Sequence, residues 1–324
     1  LTKRIQIAVD KGAKGVLYYD KDNFSRFKRR FESMKQNNSG RMEVVNNDAP
    51  EFYSLFIDQT LAESILPTIE KENDSKVLTE KLTLNFESSN DKVSSENVVA
   101  IIKGSEKPNE FLVISSHLDH IGVSGDGQIN NGADDDGSGT VALLEIAEAF
   151  KNAADAGKGP KRSIVFLHVT GEEKGLLGSQ YYTDVDPIVP LEQTVANLNI
   201  DMIGRIDPKR EGDRNYIYLI GSDKLSIELH NLSEEVNKKF MNIELDYTYN
   251  DENDPNRFYY RSDHYNFAKN NIPIIFYFNG THADYHKPSD TPDKINYDLL
   301  ENRTRLVFYT AWEIANREQK LKVD

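Results

Sequence analysis

Short apolar runs alternate with amphipathic helical patterns along the last three quarters of the chain, and this alternation constrains the fold more than any other feature. Apolar runs that predict strands cover residues 82–86, 97–103, 111–115, 163–170, 195–200, 216–220, 243–249 and 273–279. Helical patterns cover residues 139–151, 223–240 and 296–317, and in the first of these Leu143, Ile146 and Phe150 form one apolar stripe. Continuous apolar strands between such helices predict a three-layer α/β fold, with helices on both faces of a mostly parallel, mixed central sheet.

Composition excludes several classes of protein. The 324 residues include 39 Lys and Arg against 53 Asp and Glu, a formal net charge of −14, whereas a nucleic-acid-binding domain shows a basic face. The longest apolar run, residues 272–278, contains a proline and is far shorter than the ~20 residues that span a bilayer. Because the sequence has no cysteine, disulfides, Cys-ligated zinc and thiol catalysis are excluded as well.

Acidic residues and histidines cluster where predicted strands end or helices begin. In order along the chain, the clusters lie at residues 116–120, 131–139, 171–175, 201–204 and 280–291. The carboxyl ends of parallel strands meet at one edge of a sheet, which is where α/β folds bind ligands. Imidazole and carboxylate ligands together suit zinc and related divalent ions, whereas carboxylates alone suit magnesium or calcium.

Carboxylates held close together repel one another unless cations neutralise them. Two divalent ions ~3.5–4 Å apart would do so and would form a hydrolytic site. Each cluster taken singly also has a purely structural interpretation, because Asp and Gly favour turns and acids favour helix N-termini. Taken together, at successive strand ends, the clusters favour a metal site.

Six motifs then follow one another along the chain: HLDH, NGADDDGSG, TGEEKGLLGS, NLNIDMIG, RSDH and DYHKPSDT. In this order they strongly resemble the co-catalytic di-zinc aminopeptidases (metallopeptidase family twenty-eight, the aminopeptidase Y and bacterial leucyl aminopeptidase type). The resemblance covers about residues 80–320 and implies a phosphorylase/hydrolase-like zinc exopeptidase architecture. It divides the chain into a peptidase domain at residues 77–324 and an N-terminal segment at residues 1–76.

The resemblance implies five ligands for two divalent ions, which are expected to be zinc. His117 and Asp201 would bind the first ion, and His286 and Glu173 would bind the second. Asp135, the middle one of three consecutive aspartates, would bridge both ions. Manganese or cobalt could occupy the same ligands, so the sequence leaves the native metal open.

Four further residues receive roles beside the metal ligands. The resemblance makes Glu172 the general base, and it makes Tyr285 a phenol that helps to hold the oxyanion. Asp119 would orient His117 by accepting its second ring N–H, as is usual for metal-bound histidines. Spacing alone suggests that Asp290 does the same for the histidine of the second ion.

The remaining acids, histidines and arginines near these motifs carry weaker expectations. Five of them are expected to be surface, turn, cap or packing residues: His120, Asp134, Asp136, His168 and His230. Three border the pocket in relatives, and their role is left open: Asp263, His264 and His282. Three arginines are expected in ion pairs, with a substrate carboxylate as the alternative: Arg205, Arg257 and Arg261.

The activity implied by the resemblance is that of a metallo-exopeptidase acting on peptides, an aminopeptidase in which a metal-bridging hydroxide attacks the peptide carbonyl and Glu172 is the general base. The excess of carboxylates at such a site would attract a free α-amino group. Three alternatives remain open: a carboxypeptidase or dipeptidase of the same family, a single-zinc enzyme like glutaminyl cyclase, and a non-catalytic receptor-like binding domain. A count of bound ions separates the last two from the hydrolase.

The first 70 residues resemble the second half of a protease-associated domain. Residues 13–19 match its buried strand, and residues 52–69 match a later strand and helix. Residues 20–50 do not align, and the basic cluster at residues 28–30 is expected on a solvated helix face. Because the chain begins with Leu1 and shows no signal peptide, we expect a mature or truncated form. We expect the protein to be secreted or periplasmic. The oligomeric state is not predicted.

Overall fold

A computed structural model describes residues 2–36, 42–45, 52–71, 74–79, 81–85 and 92–324 of the chain. The chain divides into two units, Leu1–Val93 and Ser94–Asp324. The predicted domain boundary at residue 77 lies inside the first unit. The assignment of residues 1–76 to a protease-associated domain stays a prediction.

The described residues of the first unit form a small parallel sheet and three helices. Its elements are α1 (Thr2–Asp10), β1 (Gly15–Tyr19), α2 (Lys21–Gln36), β2 (Tyr53–Ile57) and α3 (Gln59–Ile65). β1 and β2 pair in parallel, and Asp58 caps α3 by accepting a hydrogen bond from the N–H of Leu61. The predicted strands and the helix after β2 are confirmed, whereas the extent of α2 around the helix face expected at residues 28–30 was not predicted. The basic residues 28–30 lie exposed on α2, as expected.

The second unit alternates strands and helices as the sequence pattern predicts. Its strands are β3 (Val98–Ile102), β4 (Lys107–His117), β5 (Gly122–Val123), β6 (Ile129–Asn130), β7 (Arg162–Val169), β8 (Thr194–Ile200), β9 (Tyr216–Ile220), β10 (Glu244–Asp246) and β11 (Ile274–Phe278). Its helices are α4 (Gly137–Asp155), α5 (Leu177–Asp184), α6 (Ile227–Phe240), α7 (His264–Ala268) and α8 (Tyr297–Asn316).

Seven of these strands form the central sheet, in the order β10-β9-β11-β8-β4-β7-β3. β11, β8, β4 and β7 run parallel to one another, whereas β3 is antiparallel to β7 and β9 is antiparallel to β11. The predicted mixed, mostly parallel sheet is therefore confirmed. The four parallel strands all end at the same edge.

Helices cover both faces of this sheet, because successive side chains of a strand point to opposite faces. On one face, Leu112 and Ile114 of β4 belong to a core cluster with residues of α4, α6 and α8. On the other face, Val113 belongs to a cluster with residues of α5 and α7. The three-layer α/β fold is thus confirmed. Within the described part of the chain, no helix is both long enough and apolar enough to cross a membrane.

Two of the predicted strands differ in the structure. Residues 82–85 form no strand, and Leu82 and Leu84 remain 52% and 45% exposed, so this apolar run has no core in which to be buried. Phe86, the last residue of that prediction, lies outside the described residues. The strand predicted at residues 243–249 shortens to β10, and a 3-10 helix, Thr248–Asn250, follows it.

Candidate metal centre

Loops at the carboxyl edge of the sheet bring the five predicted ligands together. His117 is the last residue of β4, and Asp201 directly follows β8. Glu173 lies in the loop after β7, Asp135 lies just before α4, and His286 lies in the loop after β11. The parallel direction of β4, β7, β8 and β11 is what puts these loops at one edge.

Three of the ligands form a buried group around His117. Its Nε2 lies 3.2 Å from Oδ1 of Asp135 and 3.7 Å from Oδ1 of Asp201. The three side chains are 1%, 5% and 10% exposed, in that order. An imidazole and two carboxylates thus face one point in the interior.

A second group forms around His286 on the other side of Asp135. Nε2 of His286 lies 3.1 Å from Oδ2 of Asp135 and 3.3 Å from Oε2 of Glu173. Asp135 therefore offers Oδ1 to the first group and Oδ2 to the second. This is the arrangement that a carboxylate bridging two ions requires.

The spacing and chemistry of both groups fit zinc. Two ligands about 2.1 Å from a tetrahedral zinc ion lie roughly 3.4 Å apart, which agrees with the 3.1–3.7 Å between these nitrogen and oxygen atoms. Among the described residues, Nε2 of His117 and Oδ2 of Asp135 are buried without a hydrogen-bond partner. Buried polar atoms are normally satisfied, so these atoms point to a missing ligand.

Without ions, the histidines and carboxylates shift one another's pKa. Burial alone would lower the pKa of His117, but the neighbouring Asp135 and Asp201 outweigh it and raise this pKa well above its ordinary value. In the same way, Asp135 and Glu173 overcome burial and raise the pKa of His286 to about 9. The metal-free histidines are therefore protonated at neutral pH, and a metal must displace these protons to bind.

Glu172 lies beside the ligands and is placed as a proton acceptor would be. It lines a cavity together with Asp135 and Asp201, and its main-chain N–H donates to Oδ1 of Asp119 at 3.1 Å. Burial raises the pKa of the Glu172 carboxyl well above its ordinary value, and the neighbouring Asp263 and Asp201 carboxylates add to the shift. A raised carboxyl pKa suits a residue that takes up and returns a proton near neutral pH.

The same cavity is lined by both polar and apolar side chains. Its apolar lining consists of Met202, Phe258, Phe276 and Phe278. Tyr285 also lines the cavity, stacks on the ring of His286 at 3.8 Å between centroids, and accepts a hydrogen bond of 3.4 Å from Nη2 of Arg261. Two of the three arginines differ here: Arg205 pairs with Asp284 at 3.0 Å, as expected, whereas Arg261 lines the cavity.

Asp119 and Asp290 support the centre through contacts other than those predicted. The main-chain carbonyl of Asp119 lies 2.9 Å from Nδ1 of His117, whereas its carboxylate lies 3.9 Å away and accepts the N–H groups of Glu172 and Glu173. The predicted contact between Asp290 and His286 is wrong. Oδ2 of Asp290 accepts the N–H groups of Asp134 and Asp135 instead, because the loop before α4 brings these donors to it.

His120 is not the surface residue that the sequence suggested. Its side chain is 10% exposed, and its Nδ1 lies 3.0 Å from Oε1 of Glu173 and 3.9 Å from Oδ2 of Asp135. The ring approaches Gly132, where a Cβ atom would come within 2.6 Å of Cγ of His120. The second H of the HLDH motif was the available signal, since it lies only three residues from a predicted ligand.

The aspartates that flank Asp135 hold the centre together. Asp136 caps α4 through Gly139, as expected, and also accepts the N–H groups of His117 and Met202. Asp134 accepts the N–H of Gly204 and lies 3.1 Å from Nε2 of His282. The peptide bond between Asp135 and Asp136 is cis. His282 thus supports the ligand loop and does not face the ions' ligands.

His168, His230 and His264 have the structural roles of hydrogen-bonded histidines. Nδ1 of His168 lies 2.9 Å from the hydroxyl of Ser116, and Nδ1 of His230 lies 3.0 Å from that of Ser222. Nε2 of His264 lies 2.8 Å from a main-chain carbonyl and its ring stacks on Phe276. These contacts agree with the structural role expected of His168 and His230. His264, whose role was left open, also makes structural contacts.

The chain matches known proteins, and its family match lies within the second unit. Residues 97–311 match peptidase family M28. Leucine aminopeptidase 2 of Arthroderma otae is 27% identical over 258 residues, which are 72% of this chain and 48% of that protein. Aminopeptidase YwaD of Bacillus subtilis is 26% identical over 272 residues, which are 78% of this chain and 52% of that protein.

Among solved structures, BSAP, a zinc aminopeptidase from Bacillus subtilis, shares the fold with a TM-score of 0.55 at 24% identity. The superposition covers 70% of this chain and 51% of that one. The chain spans about half the length of the curated relatives it matches.

Proposed function

This chain belongs to peptidase family M28, and on that premise we propose that it is a zinc-dependent aminopeptidase that removes N-terminal residues from peptides. The observation that carries the proposal is the shared carboxylate of Asp135, which faces His117 with one oxygen and His286 with the other. Two zinc ions held at these groups would supply Lewis acidity and would lower the pKa of a water molecule to about 7.

Glu172 would act as general base and then as general acid. Its raised pKa and its place in the cavity let it accept the proton of the attacking water and return it to the leaving amine. Such a role is typically worth about 10²–10⁴-fold in rate. Tyr285 would donate a hydrogen bond to the oxygen of the peptide carbonyl, because burial and Asp135 raise its pKa and keep its phenol protonated.

The cavity lining supports an N-terminal specificity. Its carboxylates would attract the α-ammonium group of a free N-terminus, while its apolar lining of Met202, Phe258, Phe276 and Phe278 would receive an apolar side chain. We therefore propose a preference for peptides that begin with an apolar residue.

The proposal extends to the first unit and to the compartment. The parallel pair β1 and β2, with α3 after β2, is compatible with a partial protease-associated domain. The absence of cysteine is compatible with export to an oxidising compartment, so we propose a secreted or periplasmic enzyme. Fractionation of the source cells would place the activity in the medium or periplasm, and activity confined to the cytosol would contradict this part.

The test is an assay of aminoacyl amides with free and with N-acetylated amino groups, combined with a count of bound metal. We expect hydrolysis of free leucyl amides, little hydrolysis of glycyl or blocked amides, complete inhibition by a chelator, and about two zinc ions per chain. Hydrolysis of blocked substrates alone would overturn the aminopeptidase. One ion per chain would favour a cyclase-like enzyme, and a chain that binds no ion would favour a receptor-like domain.

A further inference from the structure

The side chain of Arg205 lies between two aspartates of the loop that follows β11. Its Nη2 pairs with Oδ2 of Asp284 at 3.0 Å, and its Nη1 lies 3.8 Å from Oδ1 of Asp290. Along the chain, these aspartates stand two residues before and four residues after His286, a candidate ligand of the second ion. One guanidinium therefore contacts both sides of the segment that carries this histidine.

The backbone of Arg205 is itself held on both sides. Its N–H donates to Oδ1 of Asn279 at 2.6 Å, and its carbonyl accepts from Nη1 of Arg303 at 2.7 Å. Asn279 and Arg303 are 0% and 1% exposed, so water does not compete for these bonds. The side chain of Arg205 therefore extends from a fixed point in the loop after β8.

Asp290 extends the contact to the loop before α4. It is 0% exposed, and its Oδ2 accepts the N–H groups of Asp134 and Asp135 at 3.0 and 3.3 Å. Arg205 and Asp290 thus join the loop after β8, the loop after β11 and the loop before α4, each of which carries a candidate ligand. Removing one partner of a buried ion pair leaves an uncompensated charge, so this junction depends on the arginine.

A second cation also reaches the loop, but only at one of its aspartates. Nζ of Lys294 lies 2.7 Å from Oδ1 of Asp284. Within the described part of the chain, Arg205 alone of these two cations also pairs with Asp290. A guanidinium can face two carboxylates at once because it is a planar fork of donors, whereas an ammonium is a single point charge.

We infer that Arg205 is a positioning residue for the second metal ion. It holds the segment between Asp284 and Asp290 in place. Nε2 of His286, within that segment, thereby stays 3.1 Å from Oδ2 of Asp135. The inference rests on the proposed function, because it requires that these two residues bind an ion. Partners that orient metal ligands are typically worth about 10–100-fold in metal affinity.

The test is a two-step zinc titration by competition with a chromophoric chelator. We expect Arg205→Met to weaken binding of the second ion by about 10–100-fold. Arg205→Lys keeps the charge without the fork of donors, so it should lose less affinity. In a His286→Ala background, which retains only the first site, Arg205→Met should leave zinc affinity unchanged. This last measurement separates positioning of the second site from a general loss of structure.

Arg210→Met is the matched control. The side chain of Arg210 is 9% exposed against 16% for Arg205, and it also faces two carboxylates, those of Glu244 at 2.6 Å and Asp246 at 3.3 Å. Both acids lie on β10, which carries no candidate ligand. We expect this variant to lower the unfolding temperature of the metal-free protein without changing the affinity for either ion.

Three results would overturn the inference. They are wild-type affinity for the second ion in Arg205→Met, equal losses of affinity in the two methionine variants, and a loss in the His286→Ala background as large as that in the wild-type background. A wild-type chain that binds no zinc would instead overturn the proposed function.

Discussion

The half of the metal centre around His117 is buried and built on strands, whereas the half around His286 is more exposed and built on loops. His117 ends β4, Asp201 follows β8, and their side chains are 1% and 10% exposed. Glu173 and His286 lie in loops, and the side chain of His286 is 36% exposed. The backbone of His286 has a φ of 58°, a left-handed conformation that is uncommon for residues other than glycine.

Hydrogen bonds to the backbone also fix the half around His117. The carboxylate of Asp136 accepts the N–H groups of His117 and Met202, so the two strand ends of the first half are tied to the start of α4. Ligands on regular elements are held more accurately than ligands on loops. We therefore expect the first ion to bind more tightly and the second to exchange more readily with solution.

Replacing Asp135 breaks both halves at once, and it should have the largest effect. Asp135→Asn keeps the shape but replaces the charge that faces both histidines. Metal ions supply several kcal/mol of transition-state stabilisation, so hydrolysis should fall by more than about 10³-fold. Metal analysis should find neither ion. As a control, Asp126→Asn removes the same charge at an exposed residue and should change neither the rate nor the metal content. Retention of one ion by Asp135→Asn would contradict the bridging role.

The adjacent residues Glu172 and Glu173 separate chemistry from metal binding. Glu172→Gln should lower kcat by about 10²–10⁴-fold with both ions retained, because only the proton acceptor is lost. Glu173→Gln should instead release the second ion, whose site it shares with His286. Metal analysis beside steady-state kinetics distinguishes the two outcomes. If Glu172→Gln kept more than about a tenth of the wild-type rate with metals bound, the assignment of the base would be wrong.

The sequence predicts most of the strands and places the candidate ligands at their ends, for a physical reason. Apolar periodicity reports local burial, and a strand such as β11 is an apolar run whatever loop follows it. Helices α5 and α7 were missed, since α5 has few apolar residues and α7 spans only five residues, His264–Ala268. The apolar run at 82–86 was overpredicted because burial depends on neighbours that the run itself does not specify.

The hydrogen-bond partners of the candidate ligands differ from those predicted. A ligand set follows from residue types at strand ends, but the partner of each ligand depends on the path of a loop. The loop before α4 brings the N–H groups of Asp134 and Asp135 to Asp290, and a tight turn brings the carbonyl of Asp119 to His117. Asp284 lies 79 residues from Arg205, so no local pattern connects them.

His120 offers a smaller perturbation that should affect the second half alone. Its Nδ1 lies 3.0 Å from the Glu173 oxygen that does not face His286, so it can hold that carboxylate in place. His120→Ala should weaken the second ion by about 10–100-fold and leave the first ion unchanged in a two-step zinc titration. His120→Asn retains a donor near the position of Nδ1 and should lose less. Equal weakening of both ions would show that the two halves are not independent.

The smallest effect concerns the stability of the metal-free protein, and it depends on His286. Its pKa is raised from 6.5 to about 9 by Asp135 and Glu173. The protonated histidine therefore stabilises the fold fully below about pH 6.5, and this contribution is lost as the pH rises through 9. Solvent at this half-exposed residue screens its ion pairs with Asp135 and Glu173. The unfolding temperature should therefore fall by no more than about 2–4 °C between these pH values.

Bound zinc should remove this pH dependence, because a ligating histidine is neutral throughout the range. Thermal unfolding with and without chelator at pH 6.5 and pH 9 measures both trends. Burial also raises the pKa of Asp263 to about 7. Ionisation of this carboxyl as the pH rises therefore also lowers the stability of the fold. The difference in slope between the wild type and His286→Gln, both metal-free, isolates this histidine, since the remaining slope belongs to other groups with a shifted pKa, among them His117, Glu172 and Asp263. An unchanged slope in that variant would mean that His286 is too well solvated to matter, and the contrast between the two halves would then rest on metal affinity alone.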